Sequence, residues 1–199
     1  MPETSTEYFD ERWASSADPW DHAGRWYETR KYALTVAALP CPRYRHAVEP
    51  ACGVGLLTVR LAGRADHVTA NDRFTRAVDE TAGRCAELAN VSVSVADIRD
   101  GPPGVPYDLA VISEVLYYFD ATTVVDVLRR WHTGCPPGGH VVLVHHRPEV
   151  DEHVLTGDDV HAIAADVLGP PVVQHVDELF RLDVHAAPSG SGVAGATAG

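Results

Sequence analysis

The chain has 199 residues, of which 45% are hydrophobic and 22% are charged, a composition that suits one globular domain with a sizeable core. Its formal net charge of -12 at pH 7 has the wrong sign for a surface that binds the phosphates of DNA or RNA, which argues against polynucleotide substrates. A negative surface favours a cationic or amine-bearing ligand instead.

Neither the N-terminus nor the cysteines indicate a secreted, membrane-bound or metal-binding protein. The segment MPETSTEYFD is acidic and polar where a secretory signal is basic and apolar, and no segment is apolar enough to cross a bilayer. We therefore expect a cytoplasmic protein without a membrane partner. The four cysteines form no C-x-x-C pair, and four histidines of one region have spacings that fit no common zinc pattern, so we predict no metal site. These histidines are His145, His146, His153 and His161.

Residues 8–40, YFDERWASSADPWDHAGRWYETRKYALTVAALP, come first in the chain and are rich in aromatic side chains. They predict a cap of two helices in front of the core. Two interpretations of the aromatic residues stay open. They form either a hydrophobic seam against the core or a lid over a planar ligand.

Strand patterns and helix patterns alternate along residues 41–186, which we predict to be the core of a single domain spanning residues 1–186. The strands are predicted at HAVEPA, HVTAND, VSVSVAD, YDLAVISEV and HVVLVHH, and the helices at VGLLTVRLAGR, FTRAVDETAGRCAEL and ATTVVDVLRRWHTG. The segment PVVQHVDELFRLDVHA predicts two further short strands, paired antiparallel. The pattern predicts an α/β fold: a Rossmann-like, doubly wound, mostly parallel seven-stranded sheet with one antiparallel C-terminal strand. Residues 187–199 are predicted to form a disordered tail.

The turn VEPACGVGLLT joins the first predicted strand to the first core helix and contains one acid and two glycines. A dinucleotide-binding turn has the pattern G-x-G-x-x-G, whereas Gly53 and Gly55 are followed by Thr58 in place of the third glycine. Glu49 ends the strand, and its carboxylate would repel a pyrophosphate but hold an ammonium group. The turn therefore predicts a ligand that has an amino group and lacks phosphates.

Two further acids end the next two predicted strands. Asp72 ends the second strand, at the position from which a carboxylate accepts both hydroxyls of a ribose. Asp97 follows the third strand, where it can accept from the exocyclic amine of adenine while Ile98 packs on the ring. Adenine, ribose and an amino acid together describe S-adenosylmethionine, which we predict to be the cofactor.

These residues resemble the cofactor motifs of the class I S-adenosylmethionine-dependent methyltransferases. Glu49, Gly53 and Gly55 match the E/D-x-G-x-G-x-G turn of that superfamily. Asp72 and Asp97 match its second and third acidic sites. The resemblance implies that this set binds the amino acid, ribose and adenine portions of the cofactor.

Longer segments resemble the NodS family within that superfamily, which methylates an amino group on a chitooligosaccharide sugar. These segments are YFDERWASSADPW, WYETRKYALTVAALP, ISEVLYYFD, PPGGHVVLVHHR and LTGDDVH, and the resemblance spans residues 8–165. The chain departs from the expected patterns at two points. Ala51 replaces the first glycine of the cofactor turn, close to where the methionine portion of the ligand is expected. His146 stands where the family has the Trp of an H-W-R segment, which removes an aromatic wall from the acceptor site.

The ends of the fourth and fifth predicted strands border the cofactor in this architecture and supply candidate catalytic residues. Glu114, in SEVLYY, either holds the acceptor amine and takes its proton or caps the helix that follows. Ser113 is expected beside the adenosine. Tyr117 and Tyr118 place rings and hydroxyls beside the methyl group or else pack in the core.

Four further side chains complete the predicted site. His145 is our first candidate for a general base, because its unperturbed pKa near 6.5 suits proton transfer at neutral pH; the alternative is a histidine hydrogen-bonded at a strand end. His161, in TGDDVH, is expected to open a helix that follows an insertion over the substrate. Arg30 is predicted to bind the methionine carboxylate through two N–H groups, unless it pairs on the helix surface. Trp20 would exclude water from the sulfonium.

The sequence therefore predicts an S-adenosylmethionine-dependent methyltransferase that N-methylates an amino sugar or a chitooligosaccharide-like acceptor. Three alternatives stay open. The first is methylation of a small specialised metabolite at nitrogen, oxygen or carbon. The second is an NAD-dependent oxidoreductase, against which Glu49 and the missing third glycine argue. The third is a catalytically silent cofactor-binding module, which needs neither Glu114 nor His145.

Overall fold

Residues 3–187 are described by the structure, a computed structural model, and they build one seven-stranded sheet covered by helices. The helices are α1 (Thr6–Ser15), α2 (Trp26–Ala37), α3 (Leu56–Ala62), α4 (Thr75–Arg84), α5 (Ala121–Thr133) and α6 (Gly157–Leu168). The strands are β1 (Tyr44–Pro50), β2 (Ala65–Asp72), β3 (Val91–Val95), β4 (Leu109–Ser113), β5 (His140–His146), β6 (Val173–Val176) and β7 (Phe180–Ala186). Within the described range, none of the helices has the length and the apolar character needed to cross a lipid bilayer.

The strands follow the order β3-β2-β1-β4-β5-β7-β6 across the sheet. All neighbouring pairs are parallel except those of β7, which runs antiparallel to both β5 and β6. The chain order reverses between β1 and β4, and ligands of such sheets bind outside the carboxyl ends of the strands at this reversal. The predicted fold class is confirmed. In this fold, a ligand site is expected at the tips of β1 and β4.

Burial on both faces explains why the central strands are apolar without alternation. Leu109, Ala110, Val111 and Ile112 of β4 are all fully buried, because they alternate between two separate hydrophobic clusters. One cluster lies under α5 and α6 and contains Trp131, which is fully buried and donates from its indole N–H to a backbone carbonyl at 3.0 Å. Burying one such side chain contributes about 2 to 3 kcal/mol to folding.

Several predicted elements are shorter in the structure, and for two of them the local backbone gives the reason. The first core helix was expected from residue 54 but begins at Leu56, because Gly53 and Gly55 have φ values of 56° and 76° and form a left-handed turn before it. The third strand was expected through Asp97 but ends at Val95. Asp97 instead accepts from the Arg99 N–H and caps a single 3₁₀ turn over Ile98–Asp100.

The N-terminal segment forms two helices, as its pattern indicates, and lies over the carboxyl edge of the sheet. Phe9 of α1 contacts the rings of Trp20, Phe74 and Tyr118, with ring centroids 4.9 to 6.4 Å apart. The Thr4 N–H donates to the Tyr118 carbonyl at 3.0 Å, which fixes the start of the segment on the core. The aromatic residues therefore provide a seam, and several of them also face a cavity.

At the other end, Ala187 is buried and its N–H donates to the Gly139 carbonyl at 2.9 Å. This residue belongs to the packed core and not to the predicted tail. The remainder of the predicted tail, residues 188–199, lies outside the described residues.

Candidate active site

A cavity of about 870 Å³ lies between the N-terminal cap and the carboxyl ends of β1, β2 and β4. Its volume is in the range of pockets that bury a ligand of nucleoside size or larger. Most of the predicted site residues line it: Trp20, Glu49, Ala51, Gly53, Asp72, Asp97, Ile98, Ser113, Glu114 and Tyr117. Gly55, Arg30, His145 and His161 do not line it.

The turn after β1 depends on left-handed backbone at three residues. Gly55 has a φ of 76°, and a Cβ on it would lie 2.9 Å from the Thr81 side chain, so its role is close packing of the turn on α4. Ala51 also has a positive φ, 55°, in the place of the expected first glycine. This conformation costs an L-residue about 1 to 2 kcal/mol, which the surrounding structure must offset. Gly53 (φ 56°) has open space where a Cβ would stand, so backbone there remains accessible from the cavity.

Glu49 is a buried carboxyl group at the tip of β1, with 3% of its surface exposed. Its hydrogen-bond donor is the Thr58 hydroxyl, 2.6 Å from Oε2. Burial raises the pKa of Glu49 to about 8, the Thr58 hydrogen bond opposes the shift, and the nearby Asp72 adds to it. A cation placed beside this group would favour its ionised form, so Glu49 can bind an ammonium ion in exchange for a proton.

Asp72 connects the tip of β2 to the glycine turn. One carboxylate oxygen accepts from the Gly53 N–H at 3.1 Å and the other from the Phe74 N–H at 3.0 Å. Burial raises the pKa of Asp72 to about 6, although these backbone donors favour the ionised form. Each oxygen keeps a lone pair, so the carboxylate is still able to accept hydroxyl groups of a ligand.

Asp97 lines the cavity next to Ile98, as expected, but its carboxylate is engaged by Arg99. One oxygen accepts from the Arg99 backbone N–H and from Nε, at 2.9 and 3.0 Å, and the other accepts from Nη2 at 2.7 Å. Burial alone would raise the pKa of Asp97, but the Arg99 contacts lower it. Asp97 is therefore an ionised acceptor that shares its lone pairs between Arg99 and any ligand amine.

Glu114 follows β4 and has a left-handed backbone with a φ of 57°. Its Oε2 accepts from the Tyr117 hydroxyl at 2.5 Å and from the His146 N–H at 3.2 Å. Its Oε1 lies 3.1 Å from the Lys31 ammonium. Burial would raise the pKa of Glu114, but Lys31, Tyr117 and His145 together lower it to about 2. The group is a fixed, ionised carboxylate, and its role as a helix cap is wrong, because Asp120 caps the following helix α5.

Sequence reasoning missed Lys31 and Glu28 of α2, which complete this part of the site. Lys31 is fully buried, and its ammonium lies 2.8 Å from Glu28 Oε2 as well as 3.1 Å from Glu114. We call Glu28, Lys31 and Glu114 the charge cluster. The i,i+3 spacing of Glu28 and Lys31 was visible in the sequence, but such pairs ordinarily lie in solvent.

His145 and His161 are fully buried and form a chain with Asp183 behind β5, away from the cavity. Asp183 Oδ2 lies 2.8 Å from His161 Nδ1, His161 Nε2 lies 3.3 Å from His145 Nδ1, and His145 Nε2 faces the Leu116 N–H at 3.4 Å. When each Nδ1 donates and each Nε2 accepts, one arrangement of protons satisfies the whole chain. We call these three residues the histidine chain.

The histidine chain corrects two predictions. Burial, followed by the neighbouring His161, lowers the pKa of His145 well below its ordinary value, and His145 has no access to the cavity. It is therefore not the general base. His161 belongs to α6, which begins at Gly157 with a Thr156–Asp159 capping box, and its ring is directed to Asp183 and not to a substrate.

Arg30 does not face the cavity either. Its guanidinium pairs with Asp177 at 2.5 Å and lies over the Phe180 ring, 5.3 Å from the centroid. The predicted contact with a methionine carboxylate is therefore wrong. The error arises because Asp177, in the loop between β6 and β7, is distant in sequence from Arg30 and close to it in space.

Three other histidines, His22, His146 and His153, line the cavity instead, and none of them was a catalytic candidate from the sequence. His153 stacks on Tyr117 with ring centroids 3.7 Å apart and an angle of 15°, and His22 stacks on Trp20 at 5.8 Å and 18°. Burial lowers the pKa of both imidazoles, so both are neutral proton acceptors at pH 7. Across residues 3–187, no three His, Cys, Asp or Glu side chains come together as metal ligands.

The strand order and the acids at the tips of successive strands define the class of the fold, that of the class I S-adenosylmethionine-dependent methyltransferases. The family model of nodulation protein S (NodS) matches residues 4–133, and the chain belongs to the NodS family. Both the fold class and the family resemblance stated from the sequence are confirmed.

Individual relatives agree with this assignment. Nodulation protein S of Rhizobium tropici is 29% identical over 160 residues, which cover 76% of this chain and 66% of that protein. Nodulation protein S of Sinorhizobium fredii is 28% identical over 131 residues, 65% of this chain and 61% of that protein. The chain thus spans just under two thirds of the length of these curated relatives.

Solved structures show the same architecture. The N-methyltransferase NodS from Bradyrhizobium japonicum, in complex with S-adenosyl-L-homocysteine, has a TM-score of 0.81 with 23% identity, over 94% of this chain and all of that one (100%). A candidate methyltransferase from Pseudomonas syringae has a TM-score of 0.73 with 36% identity, over 81% of this chain and 99% of that one.

Proposed function

We propose that the chain binds S-adenosylmethionine and N-methylates an amino sugar or a chitooligosaccharide-like acceptor. The observation that carries the proposal is Glu49: a buried carboxyl group at the tip of β1, beside a glycine turn and facing a cavity of about 870 Å³. A pyrophosphate at this turn would meet a like charge, whereas an amino acid ammonium would meet its counter-ion.

The residues around the cavity fit the parts of the cofactor. Glu49 would pair with the amino group, Asp72 would accept the ribose hydroxyls, and Ile98 would pack on the adenine with Asp97 beside it. When bound, the cofactor supplies an electrophilic methyl group on a sulfonium. Trp20 lines the same cavity and would exclude water from this positively charged sulfur.

The chain's own residues provide for an amine acceptor. Glu114 is ionised, lines the cavity and would orient an ammonium group. An amine must lose a proton before its lone pair can react, and His153 and His22 are neutral imidazoles in the same cavity that can take it. The remaining contribution is alignment of acceptor and methyl group, which the cap and the strand tips supply by holding both in one cavity.

The relatives support this assignment without extending it to particular residues. The Bradyrhizobium japonicum structure is named an N-methyltransferase and contains S-adenosyl-L-homocysteine, the demethylated cofactor. A second candidate function, methylation of a small aromatic metabolite, is favoured by the rings of Phe9, Trp13 and Trp20 around the cavity.

The experiment that separates these functions is a methyl-transfer assay with labelled S-adenosylmethionine and three acceptor sets: glucosamine oligomers with a free amine, their fully N-acetylated counterparts, and simple phenols. We expect label on the free-amine oligomers and none on the N-acetylated ones, because acetylation removes the nucleophilic lone pair. Label on phenols alone would favour the second candidate. Label on no acceptor, together with binding of NADH, would contradict the proposed function.

A further inference from the structure

The charge cluster holds a buried lysine between two carboxylates that line the cavity. Lys31 is fully buried, Glu28 is 5% exposed, and the Lys31 ammonium is 2.8 and 3.1 Å from Glu28 and Glu114. The rings of Tyr27 and Tyr32 lie 4.8 and 5.2 Å from the ammonium and favour the cation further. A charged lysine is therefore well stabilised in this position.

The formal charges of the cluster do not cancel, because two carboxylates face one ammonium. The cations of the cap that could offset the difference are engaged elsewhere: Arg30 pairs with Asp177, and Arg25 lies 3.9 Å from Asp21. The histidines His22, His145 and His153, whose pKa values burial lowers, stay neutral at pH 7. The three residues of the cluster therefore have a formal charge of minus one.

Three atoms of the cluster also lack a directed hydrogen bond. Glu28 Oε2, Lys31 Nζ and Glu114 Oε1 are close enough for ion pairing, but their angles lie outside hydrogen-bond geometry, and all three are buried. Glu28 and Glu114 line the cavity, whereas Lys31 does not. The two oxygens without a hydrogen bond face Lys31, so the cavity meets the remaining surface of both carboxylates and not the ammonium.

We infer that Glu28 is a specificity-determining residue for a cationic acceptor, and that Lys31 is a positioning residue that balances one of the two carboxylates. The net charge of minus one at this end of the cavity attracts the ammonium form of the acceptor over neutral acceptors such as hydroxyl compounds. The inference rests on the proposed function and deepens it, since it assigns the selection of an amine to a residue of the cap.

The test compares steady-state kinetics of the full chain and three variants with a free-amine glucosamine oligomer, together with the Kd for S-adenosyl-L-homocysteine. Glu28→Gln keeps the side-chain shape and removes the net charge of the cluster, so we expect KM for the amine to rise about tenfold. We expect kcat to stay equal or increase, because an amine near a less negative site loses its proton more easily. The double variant Glu28→Gln/Lys31→Met restores the charge of minus one on Glu114, and we expect its KM to return to within about threefold of the unmodified chain.

Glu7→Gln is the matched control, since Glu7 is an exposed carboxylate at the rim of the same cavity.

The Kd for S-adenosyl-L-homocysteine must stay within about twofold in every variant, which shows that the fold and cofactor turn are intact. An unchanged KM in Glu28→Gln, or a loss of kcat in place of a rise in KM, would overturn the inference while leaving the proposed function in place. If the double variant does not bind the nucleoside, the inference is tested by comparing KM of Glu28→Gln with KM of Glu7→Gln. Absence of amine methylation by the unmodified chain would overturn both.

Discussion

Two polar regions flank the carboxyl end of β5, and they differ in how far the fold itself satisfies them. In the histidine chain, one proton arrangement pairs every ring nitrogen, and Asp183 accepts additionally from Arg181 and Gln174. At the cavity, Glu49 has a single hydroxyl donor, and the charge cluster is held by ion pairs without directed hydrogen bonds. Buried groups that are fully paired stabilise a fold, whereas buried groups with open positions destabilise it unless a ligand binds them. Substitutions in the two regions should therefore separate binding from stability.

The largest effect is expected from Glu49→Gln, which removes the counter-ion proposed for the ligand ammonium. The Kd for S-adenosyl-L-homocysteine should rise about 100-fold, as is typical when one partner of a buried charge pair is lost. Stability should not fall, because the pKa of Glu49 is raised to about 8 and ionisation of this group destabilises the free protein. Calorimetry and urea unfolding at pH 8.5 measure both quantities, with Glu87→Gln on the surface as the control. A normal Kd in the variant would contradict the role of Glu49.

The next effect is a pH dependence with a defined sign. The ligand needs Glu49 ionised, whereas the free protein holds it protonated below pH 8, so binding should release a proton. Between pH 7 and 6 the affinity should fall by about tenfold, and an α-amino group on the ligand stays mostly protonated in this range. Calorimetry in two buffers of different ionisation enthalpy measures the proton release. Glu49→Gln should abolish that release, and an equal release in the variant would assign the proton to another group.

Asp183→Asn should produce the opposite result. The variant leaves the Arg181 guanidinium without its counter-ion and turns an amide group towards Gln174 or His161, so we expect a loss of about 2 to 3 kcal/mol in the free energy of unfolding. The Kd for S-adenosyl-L-homocysteine should change by less than about threefold, because the histidine chain does not line the cavity. Asp66→Asn, at an exposed ion pair, is the control. If Asp183→Asn weakened cofactor binding more than it lowered the free energy of unfolding, His145 would again be a candidate functional residue.

The smallest effect is expected from Arg30→Ala. Arg30 pairs with Asp177 at a partly exposed position, and such a pair contributes about 0.5 kcal/mol. The Kd for S-adenosyl-L-homocysteine should remain within about twofold. A loss of more than tenfold in affinity would instead support a contact between Arg30 and the methionine carboxylate, which the structure contradicts.

The parts of the site that could be predicted from the sequence are those set by local patterns. Glu49, Asp72 and Asp97 follow apolar strands of recognisable pattern, and the tips of parallel strands meet at one edge, so local reasoning is sufficient to bring them together. The parallel sheet follows from the alternation of strands and helices, and the antiparallel β7 follows from two consecutive strand patterns near the C-terminal end. The fold class and the acids of the cofactor site can therefore be predicted without knowledge of long-range contacts.

The errors concern residues whose environment is determined by distant partners. The sequence around His145 does not show whether β5 directs this side chain towards the cavity or towards α6. Its actual partner, His161, is sixteen residues away, and Asp183 lies further along the chain. Lys31 was overlooked because charged helix residues are ordinarily solvated, and only the packing of α2 on Glu114 buries it. Ala51 was recognised as a departure, but its left-handed backbone follows from the closure of the whole turn.

Whether the acids at the strand tips bind one sulfonium nucleoside is tested most directly by calorimetric titration of the unmodified chain at pH 8. The titrants are S-adenosylmethionine and, separately, NADH. We expect one saturable site for S-adenosylmethionine that is lost in Glu49→Gln, and no heat from NADH. Saturable binding of NADH, or no binding of S-adenosylmethionine, would contradict this expectation.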